Sequence, residues 1–207
     1  MAGTFVAPKL GAPDGYSSAW VGIDGYTCQD AILQTGVQFN FINNTPAYYG
    51  TLVCIFKYTH EILLWVAWYE WYPADVYYFD GITIDEGDEI WAQVVATSPT
   101  TGKAVIKNLS KGQSVEKELS SAYPLCGANA EWIVEDFSYD DGTLVPLNDF
   151  GSVTFNDAFA LTTDPNEEIL SPYNATIILL EQNNKTITCV HEGELEVTIS
   201  YDVPPTQ

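Results

Sequence analysis

Three short stretches of the chain surround an amide or a carboxylate with aromatic and branched apolar residues. Gln34 follows Ala-Ile-Leu, and Glu70 lies between a tyrosine and a tryptophan. Glu131 and Glu135 stand on either side of Trp-Ile-Val. Burying such a polar group without a hydrogen-bond partner costs about 2–7 kcal/mol, so it persists where it is satisfied or does chemistry. We therefore treat these stretches as the candidate functional site, with ordinary hydrogen-bonded strand side chains as the alternative.

The residue types in these stretches suit catalysis in acid. A general base needs a pKa near the working pH. Histidine, with a reference pKa of about 6.5, is protonated in acid, whereas a glutamate keeps a deprotonated fraction. An amide keeps its N–H donors at any pH, and a donor to a developing oxyanion contributes roughly 3–4 kcal/mol in other enzymes.

The elements that carry these residues are predicted to be strands. Alternating or β-branched runs bounded by Gly, Asn, Asp and Pro recur, and helical periodicity is weak, which indicates an all-β chain folded as one β-sandwich. The expected strands are near 31–42, 67–73, 81–85, 89–97, 103–109, 114–119, 130–138, 152–155, 175–181, 185–190 and 194–202.

The period of two along a strand assigns the candidate residues to faces. Each polar candidate shares its face with aromatic or aliphatic residues: Ile32, Gln34 and Gly36; Trp68, Glu70 and Tyr72; Glu131, Ile133, Glu135 and Phe137. This mixture favours a wet concave cleft. A plain solvent face that carries aromatic residues is the alternative.

The charge balance excludes some function classes. The chain has 28 acidic and 7 basic residues, a formal net charge of −21. Binding to nucleic acid needs clusters of Lys and Arg, and the chain has none; anionic membranes are disfavoured for the same reason. Repulsion among carboxylates fades as the pH falls toward about 4, so the composition favours function in acid. Solubility alone is the alternative.

The cysteines form no CxxC pair and no cluster with histidine, so neither a metal site nor another cofactor is expected. They are Cys28, Cys54, Cys126 and Cys189. Four Asn-x-Ser/Thr sequons favour a secreted glycoprotein: Asn43, Asn108, Asn174 and Asn184. The residues after Met1 have neither the basic nor the apolar region of a signal peptide, so secretion would require further amino-terminal residues.

One segment departs from the strand rhythm. Residues 50–66 are densely apolar and are not interrupted by the turn-forming Asp, Gly and Asn residues that separate the apolar runs elsewhere. Lys57, His60 and Glu61 interrupt the run, which is too short to span a membrane. We expect an atypical insert here, either an extra hairpin or an exposed apolar loop.

Seven short stretches of the chain resemble, in sequence and in order, the motifs of the fungal glutamic peptidases, the eqolisin or scytalidoglutamic peptidase family G1. The matching stretches are 20–25, 27–28, 31–36, 68–73, 81–84, 86–88 and 129–137. The similarity covers most of the chain from Ser17 onward. It implies a concanavalin-like sandwich of two curved antiparallel sheets and an endopeptidase that acts in acid on protein or peptide substrates. We expect a monomer.

The resemblance also assigns roles to residues. It implies that Gln34 and Glu135 form the catalytic dyad, with Glu131 as the main rival carboxylate. It implies that further residues line or support the substrate site: Trp20, Asp24, Trp68, Glu70 and Glu131. Cys28 and Cys126 match the positions of a family disulfide. Sandwich packing for the tryptophans and an Asx turn for Asp24 remain the alternatives.

The chain departs from the family pattern at several points. The family begins with further strands before Trp20, so residues 1–207 are expected to be a single, amino-terminally truncated domain with a sheet edge left unpaired. Gln38 and Val66 stand where the family carries acidic residues, which changes the charge around the site.

Two other functions fit the same residues. Glu70 and Glu135 in an aromatic cleft also describe a jelly-roll glycosidase, for which two carboxylates suffice. A secreted sandwich that binds sugar or peptide without turnover is the third possibility. Only the surroundings of Gln34 argue against the glycosidase.

Overall fold

The computed structural model describes residues 1–42, 62–138, 142–162 and 169–202. Its strands are β1 (Ala2–Val6), β2 (Gly15–Ile23), β3 (Ile32–Ile42), β4 (Ile62–Tyr72), β5 (Tyr77–Tyr78), β6 (Glu89–Ser98), β7 (Thr101–Asn108), β8 (Gln113–Ser120), β9 (Ala130–Glu135), β10 (Ser152–Leu161), β11 (Ile169–Leu170), β12 (Glu181–Gln182), β13 (Lys185–Thr186), β14 (Thr188–Glu192) and β15 (Val197–Tyr201). Nowhere in these ranges is there a helix long and apolar enough to cross a membrane.

Two antiparallel sheets form the sandwich. The larger sheet has the order β14-β15-β10-β1-β6-β7-β8, with β11 added to β10, and the smaller has the order β5-β4-β3-β2-β9. A separate hairpin is made of β12 and β13. This arrangement confirms the predicted all-β sandwich class.

The core lies between the inner faces of the two sheets. Phe5 of β1 packs edge-on against Phe155 of β10, with ring centroids 5.3 Å apart, and against Phe39 of β3 at 6.4 Å. Val21 and Val134 of the smaller sheet join the same buried cluster. Because these inner faces are occupied by apolar packing, the polar candidate residues are left for the outer face of the smaller sheet.

Several predicted strands are confirmed to within a few residues, namely those for β3, β6, β7 and β8. Two are wrong. Ile84 makes only an isolated bridge to Trp65, and residues 175–180 form no ladder. β2 was missed because nearly all its residues are buried, so it shows no alternation that a period of two could reveal.

The last residues of the expected insert, 62–66, and the first strand of the chain are both built into sheets. β4 starts at Ile62 and pairs with β3 from Ile42 onward, so residues 62–66 continue a site strand. The rest of the 50–66 segment lies outside the described residues. β1 pairs with β10 on one side and with β6 on the other, so it is an interior strand of the larger sheet.

Candidate active site

Strand register brings the predicted dyad to one face of the smaller sheet. Gln34 on β3 lies opposite Glu70 on β4 and opposite Gly22 on β2. Glu135 on β9 lies opposite Ser18 on β2. Residues directly opposite each other in antiparallel strands share a face, and steps of two keep that face. Gln34, Glu70 and Glu135 therefore share the outer face, as the period of two predicted.

Trp20 connects the two halves of this face, because β2 lies between β3 and β9. Its Nε1 donates a hydrogen bond of 2.8 Å to Oε2 of Glu135. Glycines on both sides leave space for the indole. A Cβ on Gly22 would lie 2.7 Å from its Cζ3, and a Cβ on Gly36 would lie 2.5 Å from its Cβ. Larger residues at either position would displace the donor that orients Glu135.

Gln34 is held by one hydrogen bond and leaves one strong acceptor unused. Its Nε2 donates to Oε2 of Glu70 over 2.6 Å. Only 7% of Gln34 is exposed, and its Oε1 is buried. This oxygen has no hydrogen-bond partner among the described residues. Buried polar atoms are nearly always satisfied, so this unpartnered acceptor is an unusual feature of the described structure.

Two successive hydrogen bonds through Ser18 hold Trp68 in place. Its Nε1 donates to Oγ of Ser18 over 3.0 Å, and that hydroxyl donates to the carbonyl of Val37 over 3.2 Å. The indole is buried at the floor of the cleft, beside Gly36 in the ladder. Trp68 thus lines the cleft together with Ser18, which the sequence analysis did not single out.

Burial dominates the electrostatics of the site. It raises the pKa of Glu135; the N–H of Trp20 lowers that pKa, and the charge of Asp136 raises it again. Burial also raises the pKa of Glu70 to about 7; the hydrogen bond from Gln34 lowers it, while Glu135 and Asp75 raise it. The two carboxyls repel each other when both are charged, so at acid pH Glu70 is the protonated partner.

Gln38 and Val66, where the family resemblance leads us to expect acidic residues, lie opposite each other in the ladder. Gln38 also lies opposite Ser18, which pairs with Glu135. Both positions therefore share a row with Glu135 but carry no charge. Asp136 is consequently the charged neighbour that raises the pKa of Glu135.

The outer face forms the floor of a cleft of about 1090 Å³. Strands β2, β3, β4 and β9 contribute the floor, and the remaining lining comes from residues 73–76, Tyr78, Phe137, Ser138 and Val145. No basic side chain lines it within the described ranges. A cleft of this size accommodates several residues of an extended chain.

Asp24 lies outside the cleft and acts on the backbone. It is fully buried, and its carboxylate accepts N–H groups from four successive residues, 126–129, at 2.7–3.3 Å. Its own backbone is left-handed, with φ of 67°. This carboxylate fixes the loop that leads into β9. The structure therefore gives Asp24 a supporting position and does not make it a cleft residue.

The disulfide implied by the resemblance is present. Cys28 is bonded to Cys126, with Cα atoms 6.2 Å apart. These two cysteines and Asp24 are the one grouping of potential metal ligands in the described ranges, but the disulfide uses both sulfurs. Cys189 is an exposed free thiol, and Cys54 lies outside the described residues.

Glu131 is also separate from the cleft lining. It lies at the end of the Gln34 row, beyond Gly22, and accepts the backbone N–H of Tyr26. Burial raises its pKa to about 7, and the charge of Asp24 raises it too, while the Tyr26 bond lowers it. Glu131 therefore contacts the turn at Tyr26 and, of the two glutamates of β9, only Glu135 lines the cleft.

One neighbour of the site gave no signal in the sequence. Gln182, in the β12–β13 hairpin, donates to Oδ2 of Asp136 over 2.7 Å. Oδ1 of Asp136 is buried and unpartnered in the described structure, and burial raises the pKa of this carboxyl. Asp136 adjoins Glu135 in sequence and could have been noticed. Gln182 lies 46 residues away, and no motif links it to the site.

Comparisons with known proteins agree with this geometry. Residues 1–201 match the Peptidase A4 family. Aspergillopepsin-2 from Aspergillus niger is 43% identical over 187 residues, which cover 89% of this chain and 59% of that protein. Scytalidopepsin B from Scytalidium lignicola is 39% identical over 204 residues, 95% of this chain and 70% of that protein. The chain thus spans less than two thirds of the length of the first of these relatives.

Solved structures show the same fold. Aspergilloglutamic peptidase from Aspergillus niger superposes with a TM-score of 0.74 at 42% identity, over 90% of this chain and 99% of that one. Scytalido-glutamic peptidase with a transition state analog inhibitor superposes with a TM-score of 0.77 at 37% identity, over 97% of this chain and 91% of that one. These matches confirm the family and the fold expected from the sequence, and they favour a peptidase over the glycosidase and the binding module. The chain belongs to the Peptidase A4 family.

Proposed function

We propose that this chain is an endopeptidase that acts in acid, with Glu135 as general base and Gln34 as the residue that orients water and stabilises the oxyanion. One observation carries the proposal. On the outer face shared with Glu135, Gln34 keeps a buried Oε1 that has no partner in the described part of the chain. An acceptor and a carboxylate on the same face are the two groups that a nucleophilic water needs.

The steps follow from the donors and acceptors present. A water that donates one hydrogen to Oε1 of Gln34 and the other to Glu135 is oriented toward a peptide carbonyl in the cleft. Glu135 takes the proton as the water attacks, and later gives it to the leaving amine. Nε2 of Gln34 has two hydrogens, of which one is donated to Glu70. The second is free to donate to the oxyanion of the tetrahedral intermediate.

Glu70 and Trp20 position this pair. Glu70 holds the amide of Gln34, and a neutral Glu70 places no negative charge beside the developing oxyanion. Trp20 holds one oxygen of Glu135. Since ionisation of Glu70 is centred at about pH 7, activity is expected to fall as the pH rises toward neutrality. It also falls as the pH drops below the pKa of Glu135, which burial raises above its ordinary value.

The wider setting is part of the same proposal. The protein is a secreted, single-domain monomer and a glycoprotein, and its substrates are proteins or peptides. The disulfide between Cys28 and Cys126 supports an oxidising compartment. The net charge of −21 argues against nucleic acid and anionic membranes as partners.

The test is hydrolysis of an unfolded protein substrate at acid pH in the presence of pepstatin, an inhibitor of aspartic proteases. The wild-type chain is compared with Gln34→Ala and Glu135→Gln. We expect activity in the wild type that pepstatin does not remove, and a large loss in both variants. Near-ultraviolet circular dichroism shows whether each variant is folded.

The same variants separate the alternatives. A glycosidase that uses Glu70 and Glu135 would keep part of its activity on polysaccharide after Gln34→Ala. A binding module would show no turnover in any form. Either result would remove the peptidase proposal.

A further inference from the structure

The fold divides the sequons into two kinds. Asn108, Asn174 and Asn184 lie in described parts of the chain, while Asn43 lies outside them. Asn108 is completely buried, whereas Asn174 and Asn184 are exposed. The three sites are equivalent as sequence motifs, so only their surroundings distinguish them.

The amide of Asn108 has no hydrogen to spare. Its Nδ2 donates to the carbonyl of Thr83 at 2.9 Å and to Oδ2 of Asp88 at 2.8 Å. Its Oδ1 accepts the N–H of Lys111 at 3.0 Å. Glycosylation replaces one of the two Nδ2 hydrogens with a sugar, so a glycosylated Asn108 cannot keep both bonds, and the buried site has no room for the sugar.

Asn174 and Asn184 lie in left-handed turns, each with φ of 60°. Asparagine tolerates this conformation well, so the turn itself accounts for part of their presence. No hydrogen bond from either side-chain amide occurs in the described structure, and the acceptor threonines of both sequons, Thr176 and Thr186, are exposed as well. Both amides are therefore free to carry a glycan without a change in the fold.

A stretch of exposed apolar residues adjoins Asn174. Tyr173, Ile177, Ile178 and Leu179 are 42–60% exposed. A contiguous apolar surface is a liability for association unless something covers it. A glycan on Asn174 begins at this stretch, and a bulky polar sugar beside it would reduce its contact with other chains.

We propose that Asn174 and Asn184 carry N-linked glycans in the folded protein, that Asn108 does not, and that the glycan on Asn174 shields residues 173–179. In the transfer, Nδ2 bonds to C1 of an N-acetylglucosamine carried on a lipid diphosphate. The bond from C1 to the phosphate oxygen breaks, the lipid diphosphate leaves with the electron pair, and the amide releases one proton. The inference rests on the proposed secretion but not on the proposed chemistry.

The test is expression of the full chain behind a secretion leader in a yeast that glycosylates its exported proteins. An endoglycosidase that leaves one N-acetylglucosamine on each acceptor is followed by peptide mapping with mass spectrometry. We expect the mark on Asn174 and Asn184 and an unmodified Asn108 in the soluble folded fraction. A marked Asn108 in that fraction, or an unmarked Asn174 or Asn184, would overturn the assignment. Because the leader supplies secretion, the result is independent of the natural location and of peptidase activity.

Shielding is tested with variants that remove an acceptor but keep the asparagine. Thr176→Ala should lose the mark on Asn174 and bind more of a hydrophobic fluorescent dye than the wild type. Thr176→Ser keeps the sequon and should behave like the wild type. Thr186→Ala loses the other glycan and should leave dye binding unchanged. Equal dye binding by Thr176→Ala and Thr186→Ala would refute the shielding role.

Discussion

Asp24 and Glu135 are both acidic side chains at the smaller sheet, the first fully buried and the second half-buried, and their surroundings differ sharply. Asp24 accepts four backbone N–H groups and has no capacity left. Among the described residues, Glu135 accepts one hydrogen bond, from the N–H of Trp20, and it faces the cleft together with Gln34, whose Oε1 has no partner there. A saturated carboxylate stabilises a loop, whereas an under-satisfied one keeps lone pairs for a bound molecule.

The largest expected effect is on turnover, through Glu135→Gln. This change keeps the shape of the side chain and removes the base, so kcat/KM should fall by about 10²–10⁴-fold. The thermal midpoint should not fall, because no buried charge remains to be desolvated. Steady-state kinetics at acid pH and a melting curve measure both. Activity within a few-fold of the wild type would show that another group is the base.

Asp24→Asn should have the opposite outcome, a loss of stability with little loss of catalysis. Its new NH₂ group would face N–H donors of residues 126–129, and the charge-assisted bonds would be lost. We expect a loss of about 3 kcal/mol in the free energy of unfolding. Urea unfolding measures it, with the exposed Asp80→Asn as the matched control. Equal stability of the two variants would remove the distinction between the buried carboxylates.

The raised pKa values of Glu70 and Glu131 should make the fold more stable in acid than at neutral pH. Glu70 and Glu131 have a pKa of about 7 in the folded chain against an ordinary value of 4.5. Between these values the folded chain binds more protons than the unfolded chain, so stability falls as the pH rises from about 4.5 to about 7. Calorimetric melting across this range should show a falling midpoint, with a shallower slope in Glu131→Gln. A midpoint that rises with pH would contradict the assignment.

Trp20→Phe should move the acid limb of the pH–rate profile. The indole N–H lowers the pKa of Glu135, so its loss raises that pKa and shifts the acid limb of kcat/KM to higher pH. At the acid edge we expect a loss of about tenfold. Trp68→Phe is the control, because Trp68 donates to Ser18 and not to Glu135. An unshifted limb in Trp20→Phe would show that the bond has no catalytic consequence.

Asp136→Asn should shift the acid limb of kcat/KM by the smallest amount, and in the direction opposite to the shift in Trp20→Phe. The charge of Asp136 raises the pKa of Glu135, so its removal shifts the acid limb to lower pH. Asp136 is only half buried, and solvent weakens its influence. Gln182→Leu should change the profile only while Asp136 is present, which a double-mutant cycle measures, with Gln113→Leu as control. A limb that moves to higher pH in Asp136→Asn would contradict the electrostatic role.

Much of the site could be predicted from the sequence, because the information was local. The period of two assigned Gln34, Glu70 and Glu135 to strand faces that the ladder then placed together. The motif order identified the family. Local periodicity failed for β2, whose two faces are both covered, and for residues 175–180, whose apolar pattern forms no ladder.

The sequence by itself determined the residue types, the excess of acidic charge, the strand periodicity and the family. Only the tertiary structure decided which polar side chains have all their hydrogen-bond partners and which do not. The four donors to Asp24 are 102–105 residues away from it, the bond from Trp20 to Glu135 spans 115 residues, and Asn108 is closed by a loop 20–25 residues earlier. Hydrogen-bond partners and burial depend on the register and packing of distant strands, which no local pattern encodes.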